Sequence, residues 1–284
     1  MVVKFTIKPY DEGCAERMDF SLSDVVYSAP TWMMGVCIVL IFLVSGLLGL
    51  YLSRDWVRER FRFQNQSNDA VNGFFAGIGV LYGLLIGLVA VANWNNFDDV
   101  EDLVSKEASS IGSFYNDVEA LQEPTRSRLV VHISDYLTLI IEREWPAHSM
   151  GHIAPAFPAE LAQIHDTLIG YQPTSPNQQE FLAHCLDVYD RMIDLRQQRI
   201  AAVTDDRVPE VFWYVIIFGS MLSIVVTYCF HLPSFSSHAL LTGLYCSFLG
   251  LMIFLIAAVD NPFRGGVSIK PMDYINLRTS VELR

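Results

Sequence analysis

Four stretches of about twenty residues contain no charged side chain, and they constrain the fold more than any other feature. They cover residues 33–52, 74–92, 211–230 and 239–259. As a helix, each is long enough to cross ~30 Å of hydrocarbon. Backbone groups find no water there, so a spanning segment has to be a helix or part of a closed barrel. The alternation of apolar and polar residues that a barrel requires is absent, which predicts four transmembrane helices.

The predicted fold is an all-α integral membrane protein with a helical extramembrane domain inserted between the second and third transmembrane helices. The expected division is an N-terminal tail at 1–31, a helix pair at 32–92, the helical domain at 93–208, a second helix pair at 209–260 and a C-terminal tail at 261–284. With four crossings, both tails and the helical domain lie on one side of the membrane. Because arginines occur near membrane ends on both sides, both orientations stay open. We expect a multi-pass protein of the bacterial inner membrane.

The helical domain shows apolar residues at helical spacing, separated by prolines. One helix continues from the second membrane stretch and breaks at Pro124, and a second is expected to end at Pro146. A long helix begins at Pro176 and carries a heptad face. This face comprises Phe181, Cys185, Val188, Met192 and Leu195. The tails show short alternating patterns at Val3 to Ile7 and Val267 to Ile269, which predict two strands that pair.

Glycines recur at intervals of four in the second membrane stretch, at Gly79, Gly83 and Gly87 and at Gly73 and Gly77. Glycines at this interval share one helix face and let another helix approach closely. The face could pack against small residues of a neighbouring helix in the same chain, such as Gly49 or Gly219. It could equally pack subunits around an axis or line a narrow pore. All of these interpretations stay open at this point.

Four acids follow where this helix leaves the membrane: Asp98, Asp99, Glu101 and Asp102. If copies of the helix surround an axis, these acids form rings that attract cations and repel anions. The alternative is a solvated acidic face with no ligand.

Other chemistry is not indicated. The sequence contains no nucleophile elbow, phosphate-binding loop, metalloprotease motif or basic patch for nucleic acid. His148 and His152 have a spacing that suits a metal on one helix, but Pro146 and Gly151 interrupt the segment. We therefore expect no cofactor, no metal site, no nucleic-acid partner and no enzymatic activity.

Several stretches resemble a known family. Residues 259–267 read VDNPFRGGV, residues 77–85 read GIGVLYGLL, and residues 106–108 and 144–147 read KEA and EWPA. Arg199 followed by VPEVFW at 208–213 also fits. In this order they resemble the bestrophin-like domain family of bacterial and plant membrane proteins, over most of the chain. His148 stands where the family pattern suggests methionine or another apolar residue.

The resemblance implies a remote similarity to bestrophins, which are homopentameric anion channels whose second membrane helix lines the pore. It therefore implies a homo-oligomer, with a pentamer as one assembly. The acidic exit segment favours cations instead. The leading hypothesis is a homo-oligomeric, cation-conducting ion channel with the second transmembrane helix as pore wall. Its partners are the lipid bilayer, copies of itself and inorganic ions. The alternative is a membrane-anchored sensor or scaffold that binds a partner through its helical domain, with the heptad face as contact surface.

One further pair is expected near the end of the last membrane helix. Asp260 follows that helix, where the helix dipole disfavours a carboxylate, and Arg264 is a nearby cation. We expect the two to form a structural clasp.

Overall fold

The computed structural model describes residues 30–61, 67–153, 158–204 and 208–283. These residues form nine α-helices and one π-helical turn, and they contain no strand. The helices are α1 (Thr31–Phe61), α2 (Ser67–Glu119), α3 (Thr125–Leu139), α4 (Trp145–Ser149), α5 (Ala159–Ile169), α6 (Pro176–Thr204), α7 (Glu210–Tyr228), α8 (Phe235–Val259) and α9 (Met272–Glu282). The π-helical turn, Ile140–Glu144, lies between α3 and α4.

Four of these helices are long and apolar enough to cross a membrane: α1, α2, α7 and α8. The prediction of four membrane helices is confirmed at this level. Only 11–33% of the most apolar part of each span is buried within the isolated chain. A helix that presents apolar side chains outward is expected where lipid is the solvent.

Small residues set the packing of the membrane helices against one another. A Cβ added at Gly250 of α8 would lie 2.9 Å from the Val39 Cα, so α1 and α8 approach too closely for any larger residue. At Gly219 of α7, an added Cβ would lie 2.5 Å from the ring of Tyr82. The Tyr82 hydroxyl reaches the Ile216 carbonyl and Ser220 Oγ, each at 2.5 Å, and so fastens α2 to α7.

α2 is one uninterrupted helix of 53 residues. At 1.5 Å per residue it is ~80 Å long, more than twice the hydrocarbon thickness. The prediction that it runs past Asn93 and Trp94 into the acidic segment is confirmed. Its break before Pro124 is confirmed as well, because α3 begins at Thr125.

The helices other than the apolar helices α1, α7 and α8 share a single hydrophobic core. It comprises buried residues from the second half of α2, from α3, α5 and α6, and from the chain after α8, including Phe263 and Tyr274. The C-terminal segment therefore packs against the helical domain. The strand expected around Val267 and Ile269 is wrong: this stretch is irregular, and the Ile269 N–H donates to the Pro262 carbonyl at 2.8 Å. Its expected partner, Val3 to Ile7, lies outside the described residues.

The helix end expected at Pro146 is also wrong. The chain stays helical through Pro146 because the preceding turn widens to the π form, in which the Trp145 N–H donates to the carbonyl of Ile140. Proline lacks an N–H, and its ring would crowd the carbonyl four residues earlier in a regular helix. The wider turn relieves that conflict and places Glu144 inside the domain, where it is 1% exposed.

Candidate functional site

One face of α2 is exposed along nearly the whole helix. Its residues recur at intervals of three and four, as one helix face requires. We call this the outer face of α2. It consists of Gly73, Gly77, Val80, Leu84, Gly87, Val91, Asn95, Asp98, Asp102, Ser105, Ser109, Ser113 and Asn116. The opposite face is buried against α7, α8 and the helical core, through residues such as Ile86, Val100 and Ile111. The outer face is thus apolar and small at one end and hydroxyl-bearing or acidic at the other.

The five predicted glycines lie on or beside the outer face. At Gly73, Gly77, Gly79, Gly83 and Gly87, an added Cβ would have no described atom within 4 Å. Among the described residues, packing against a helix of the same chain therefore does not account for these glycines. Gly49 and Gly219, proposed as partners, instead contact Tyr228 and Tyr82. The interpretations that remain involve a group outside the chain: another subunit, a pore or lipid.

The four predicted acids are all exposed and begin a few residues after the uncharged apolar part of α2. Asp102 lies 3.7 Å from Nζ of Lys106, one helical turn further along. The two side chains are 70% and 63% exposed, so this pair contributes little to stability. The acids therefore create a negative potential next to the apolar part of α2 and contribute little to the stability of the fold.

Asp260 and Arg264 lie close to the same exit, on the segment after α8. Asp260 Oδ1 accepts a hydrogen bond from Asn93 Nδ2 at 3.4 Å, and this amide also donates to the Ile256 carbonyl at 3.2 Å. Asn93 is 1% exposed, so its amide depends on these acceptors. Arg264 lies against Gly151, whose φ is +76° and at which a Cβ would be 3.2 Å from Arg264 Nη1.

A group of buried charges, not expected from the sequence, lies behind the outer face. We call it the buried ion network; it comprises Glu107 of α2, Glu144 of the π-helical turn, His148 of α4, and Arg196 and Arg199 of α6. None is more than 2% exposed. The two carboxylates and two guanidinium groups balance in charge, as burial requires.

Arg199 is the centre of this network. Its Nε and Nη2 donate to the two oxygens of Glu107 at 2.6 and 3.1 Å, and Nη2 also donates to Glu144 Oε2 at 2.7 Å. The other oxygen of Glu144 accepts from Arg196 Nη2 at 2.5 Å. The forked pairing with Glu107 uses the planar geometry that only arginine offers. The network thereby joins the second half of α2 to α6, the helix that precedes the apolar helix α7.

Aromatic side chains enclose the network. The Arg199 guanidinium carbon lies 5.9 Å from the ring centre of Trp145 and 6.0 Å from that of Tyr274. Phe263 packs on the same Trp145 ring at 5.7 Å. The Tyr136 hydroxyl donates to Glu107 Oε1 at 3.3 Å. These contacts exclude water, which strengthens each charged hydrogen bond and raises the penalty for losing one.

The pKa values of the network follow from burial and from the paired charges. Burial favours a neutral Glu144, but the attraction of Arg199 and Arg196 outweighs it and lowers the pKa of the Glu144 carboxyl. Burial disfavours a charged Arg199, yet the neighbouring Glu107 raises its pKa well above the usual value. Both ions therefore remain charged over the physiological range of pH.

His148 behaves differently. Burial, followed by repulsion from Arg199, lowers the pKa of His148 to about 3. The imidazole is therefore neutral, and its Nδ1 accepts a hydrogen bond from Arg199 Nη1 at 3.2 Å. A neutral ring that accepts at Nδ1 carries its proton on Nε2. That Nε2 has no hydrogen-bond partner among the described residues.

The low pKa of His148 predicts a loss of stability in acid. Its ordinary pKa is 6.5 and its pKa in the fold is about 3, so between these values the unfolded chain binds one more proton. The free energy of unfolding therefore falls by up to ~1.4 kcal/mol for each pH unit below 6.5. We expect the unfolding temperature of His148→Met to change less between pH 7 and pH 4.5 than that of the wild type. His152→Met, at an exposed histidine, is the control; equal pH profiles for both variants would contradict this origin.

The stretches that carry the family resemblance meet in this region. KEA supplies Glu107, EWPA supplies Glu144 and Trp145, Arg199 lies at the centre, and the segment after α8 supplies Phe263. From one stretch to the next, these residues lie 37 to 64 positions apart in the sequence, but they pack around one guanidinium group. The stretches that resemble the family could therefore have pointed to the network, if their residues had been expected to lie close together in the fold.

The heptad face of α6 and the possible metal ligands singled out in the sequence do not form a site. Cys185 and Met192 of the heptad face are buried, Phe181 and Val188 pack against the same core, and Leu195 is half-buried. This face is therefore used within the chain. It is not exposed as a docking surface for a partner. In the described part of the chain, no group of three His, Cys, Asp or Glu side chains could hold a metal ion.

The comparisons with known proteins agree with the fold. A bestrophin-like domain model matches residues 40–274. A substituted variant of a bacterial bestrophin homologue from Klebsiella pneumoniae superposes with a TM-score of 0.62 at 10% identity, over 87% of this chain and 97% of that one. A variant described as a membrane protein superposes with a TM-score of 0.58 at 10% identity and the same coverages. A search among curated proteins found no match.

Proposed function

This chain belongs to the bestrophin-like family, and we propose that it assembles into a homo-oligomeric ion channel that conducts cations, with the outer face of α2 lining the pore. The observation that carries the proposal is the continuity of this face. It runs from an apolar part, where glycines with no described neighbour alternate with Val80, Leu84 and Val91, through exposed acids, to hydroxyl side chains. A face that is uncharged inside the membrane and polar beyond it fits an axial pore.

Packing energetics support assembly around α2. Lipid supplies no hydrophobic driving force between helices, so close contacts between small residues are what favours association in a membrane. Glycines that meet no described atom of their own chain offer such a surface. A face turned only towards lipid would gain nothing from glycine, which costs about 1 kcal/mol relative to alanine in a helix.

Electrostatics support cations as the permeant ions. In a symmetric assembly, Asp98, Asp99, Glu101 and Asp102 repeat around the axis as rings of negative charge at the end of the span. Such rings concentrate cations and exclude anions at a pore mouth. Because these acids are exposed and Asp102 has only a weak partner in Lys106, their field is available to ions.

We also propose that Asp260 and Arg264 form a clasp beneath this exit. Asp260 already accepts from Asn93 on the buried face of α2, which ties the end of α8 to the membrane exit of α2. Arg264 would complete the clasp by neutralising the carboxylate at the unfavourable end of the helix dipole. The clasp would fix the position of α2 where the acidic rings begin.

The proposal predicts that neutralising two acids weakens cation selectivity. With Asp98 and Asp102 both changed to Asn, the reversal potential across a planar bilayer under a salt gradient should shift towards zero. The shift follows from the loss of two charges per subunit near the axis. The matched control changes Asp135 and Asp166 to Asn, two exposed acids on α3 and α5. A reversal potential that is unchanged in the variant of Asp98 and Asp102 would show that the acidic rings do not determine ion selectivity.

A further inference from the structure

Two short segments outside the apolar helices lie close to the start of α1. Residues 264–267 follow α8, and Gly266 abuts Thr31, the first residue of α1, because an added Cβ would collide with the Thr31 side chain. Residues 150–153 follow α4 and pack on this segment, since a Cβ added at Gly151 would lie 3.2 Å from Arg264 Nη1. Both segments are therefore held beside the end of an apolar span.

These segments present apolar side chains that the fold of the chain leaves exposed. Met150 is 56% exposed, and Ile153 and Val267 are each 40% exposed. We call these three residues the apolar foot. No Asp, Glu, Lys or Arg occurs in 145–153 or in 265–269, although the chain carries a net charge of -12. An exposed group of apolar side chains without charges marks a surface that contacts a membrane or another protein.

The apolar foot continues the outward surface of α1. Trp32 is 69% exposed, and Val36 and Leu40, which follow it at intervals of four on the same helix face, are each 49% exposed. Such a face of a membrane-spanning helix contacts lipid, and a tryptophan at its end lies at the level of the headgroups. Because Gly266 touches Thr31, the neighbouring Val267 lies at this level too.

The foot lies away from the face of α2 that we assign to the assembly axis. α1 packs mainly on α8, and the buried side of α2 packs on α7 and α8. α8 therefore lies largely between α1 and α2, and the outer face of α2 points away from both other helices. A surface on the α1 side of the subunit meets lipid in such an assembly.

We propose that the apolar foot inserts into the headgroup region of the bilayer, so that its partner is the phospholipid surface. At this depth apolar side chains leave water, while the polar backbone groups beside them still reach water and headgroups. The helical domain thereby contacts the membrane beside α1, in addition to its connections through α2, α7 and α8. The contact involves one subunit and no ion conduction, so its failure would leave the proposed channel untouched.

The test is photo-cross-linking of the full-length protein in phospholipid nanodiscs. The probe p-benzoylphenylalanine, which inserts into nearby C–H bonds on irradiation, replaces Ile153 in one variant and Val267 in another. Both variants should gain the mass of one phospholipid in intact-protein mass spectrometry. The same probe in place of Leu40, on the lipid-facing side of α1, gives the reference yield.

The matched control carries the probe in place of Ile169, which is 61% exposed at the end of α5. Ile169 precedes the start of α6, whose 29 residues place it ~40 Å from the end that leads to α7. This variant should gain no lipid.

Three other results would overturn the proposal. A cross-link between two protein chains would show that another subunit covers the foot. A cross-link to residues 1–29, located by peptide mass spectrometry, would show that the N-terminal segment covers it. A lipid yield at positions 153 and 267 no higher than at position 169 would place the foot in water. Because both side chains are exposed, either variant alone decides the matter if the other fails to fold.

Discussion

Replacing Arg199 with methionine is expected to destabilise the protein by about 3–5 kcal/mol, because it leaves buried carboxylates without their main partner. Glu107 loses its forked pair and Glu144 loses one of two cations. Methionine fills a similar volume but cannot hydrogen-bond. In a protein of this size, the loss corresponds to roughly 10 °C in the unfolding temperature. Circular dichroism of the detergent-purified variant measures it.

Two further variants separate the network from a general effect of losing an arginine. Arg191→Met on the same helix makes the same chemical change at an exposed site and should cost less than about 0.5 kcal/mol. Adding Glu107→Gln to Arg199→Met removes one stranded charge and should recover part of the lost stability. If Arg199→Met and Arg191→Met unfold at the same temperature, the network does not stabilise the fold.

The second large effect is expected at the outer face of α2. Gly87→Leu should leave the fold of the subunit intact, because no described atom lies within 4 Å of an added Cβ. In the assembly, four additional carbons in each subunit would either separate the helices or fill the axis. We therefore expect ion conductance to be abolished. Native mass spectrometry then distinguishes the two causes, since a lost oligomer indicates helix packing and a retained oligomer indicates an obstructed pore.

Gly250→Leu is the matched comparison. Its Cβ would lie 2.9 Å from the Val39 backbone, so this substitution should destabilise the subunit itself by about 1–3 kcal/mol. We thus expect the two substitutions to differ. Gly87→Leu should keep the unfolding temperature but lose conductance, whereas Gly250→Leu should lower the unfolding temperature. Full conductance from Gly87→Leu would mean that α2 neither lines a pore nor packs subunits at this position.

The membrane helices could be predicted from the sequence because a single property, the absence of charge over about twenty residues, determines them. The continuity of α2 could be predicted for a similar reason, since no proline interrupts it between the apolar and acidic parts. The helix end expected at Pro146 was wrong because the rule for the residue before proline assumes a regular helix. A π-helical turn relieves the steric conflict at the proline ring and also places Glu144 in the core.

The buried ion network could not be predicted from spacing alone. Glu107 lies 37 positions from Glu144 and 92 from Arg199, and isolated charges in amphipathic helices normally face water. On α2, however, Glu107 follows the buried positions Val100 and Val104 at helical intervals. A charge on the apolar face of a helix is the local sign that a buried partner exists. Which residue is the partner of Glu107 could be determined only from the fold.

The network and the outer face are two sides of the same helix. Glu107 fixes the second half of α2 to α6, while Asn93, at the end of the apolar part of α2, fixes it to the end of α8. Both anchors act on the buried side, and no described atom lies within 4 Å of a Cβ added at Gly73, Gly77 or Gly87 on the outer face. A rigid helix that holds such an open face in a defined position is what a symmetric pore requires of each subunit.

The most direct test of the account is the current carried by the purified wild-type oligomer in a planar bilayer between unequal concentrations of potassium chloride. A channel with acidic rings at its mouth should give a reversal potential close to that of potassium. A reversal potential closer to that of chloride than to that of potassium would contradict a cation channel built around α2, and so would a stable oligomer that carries no current.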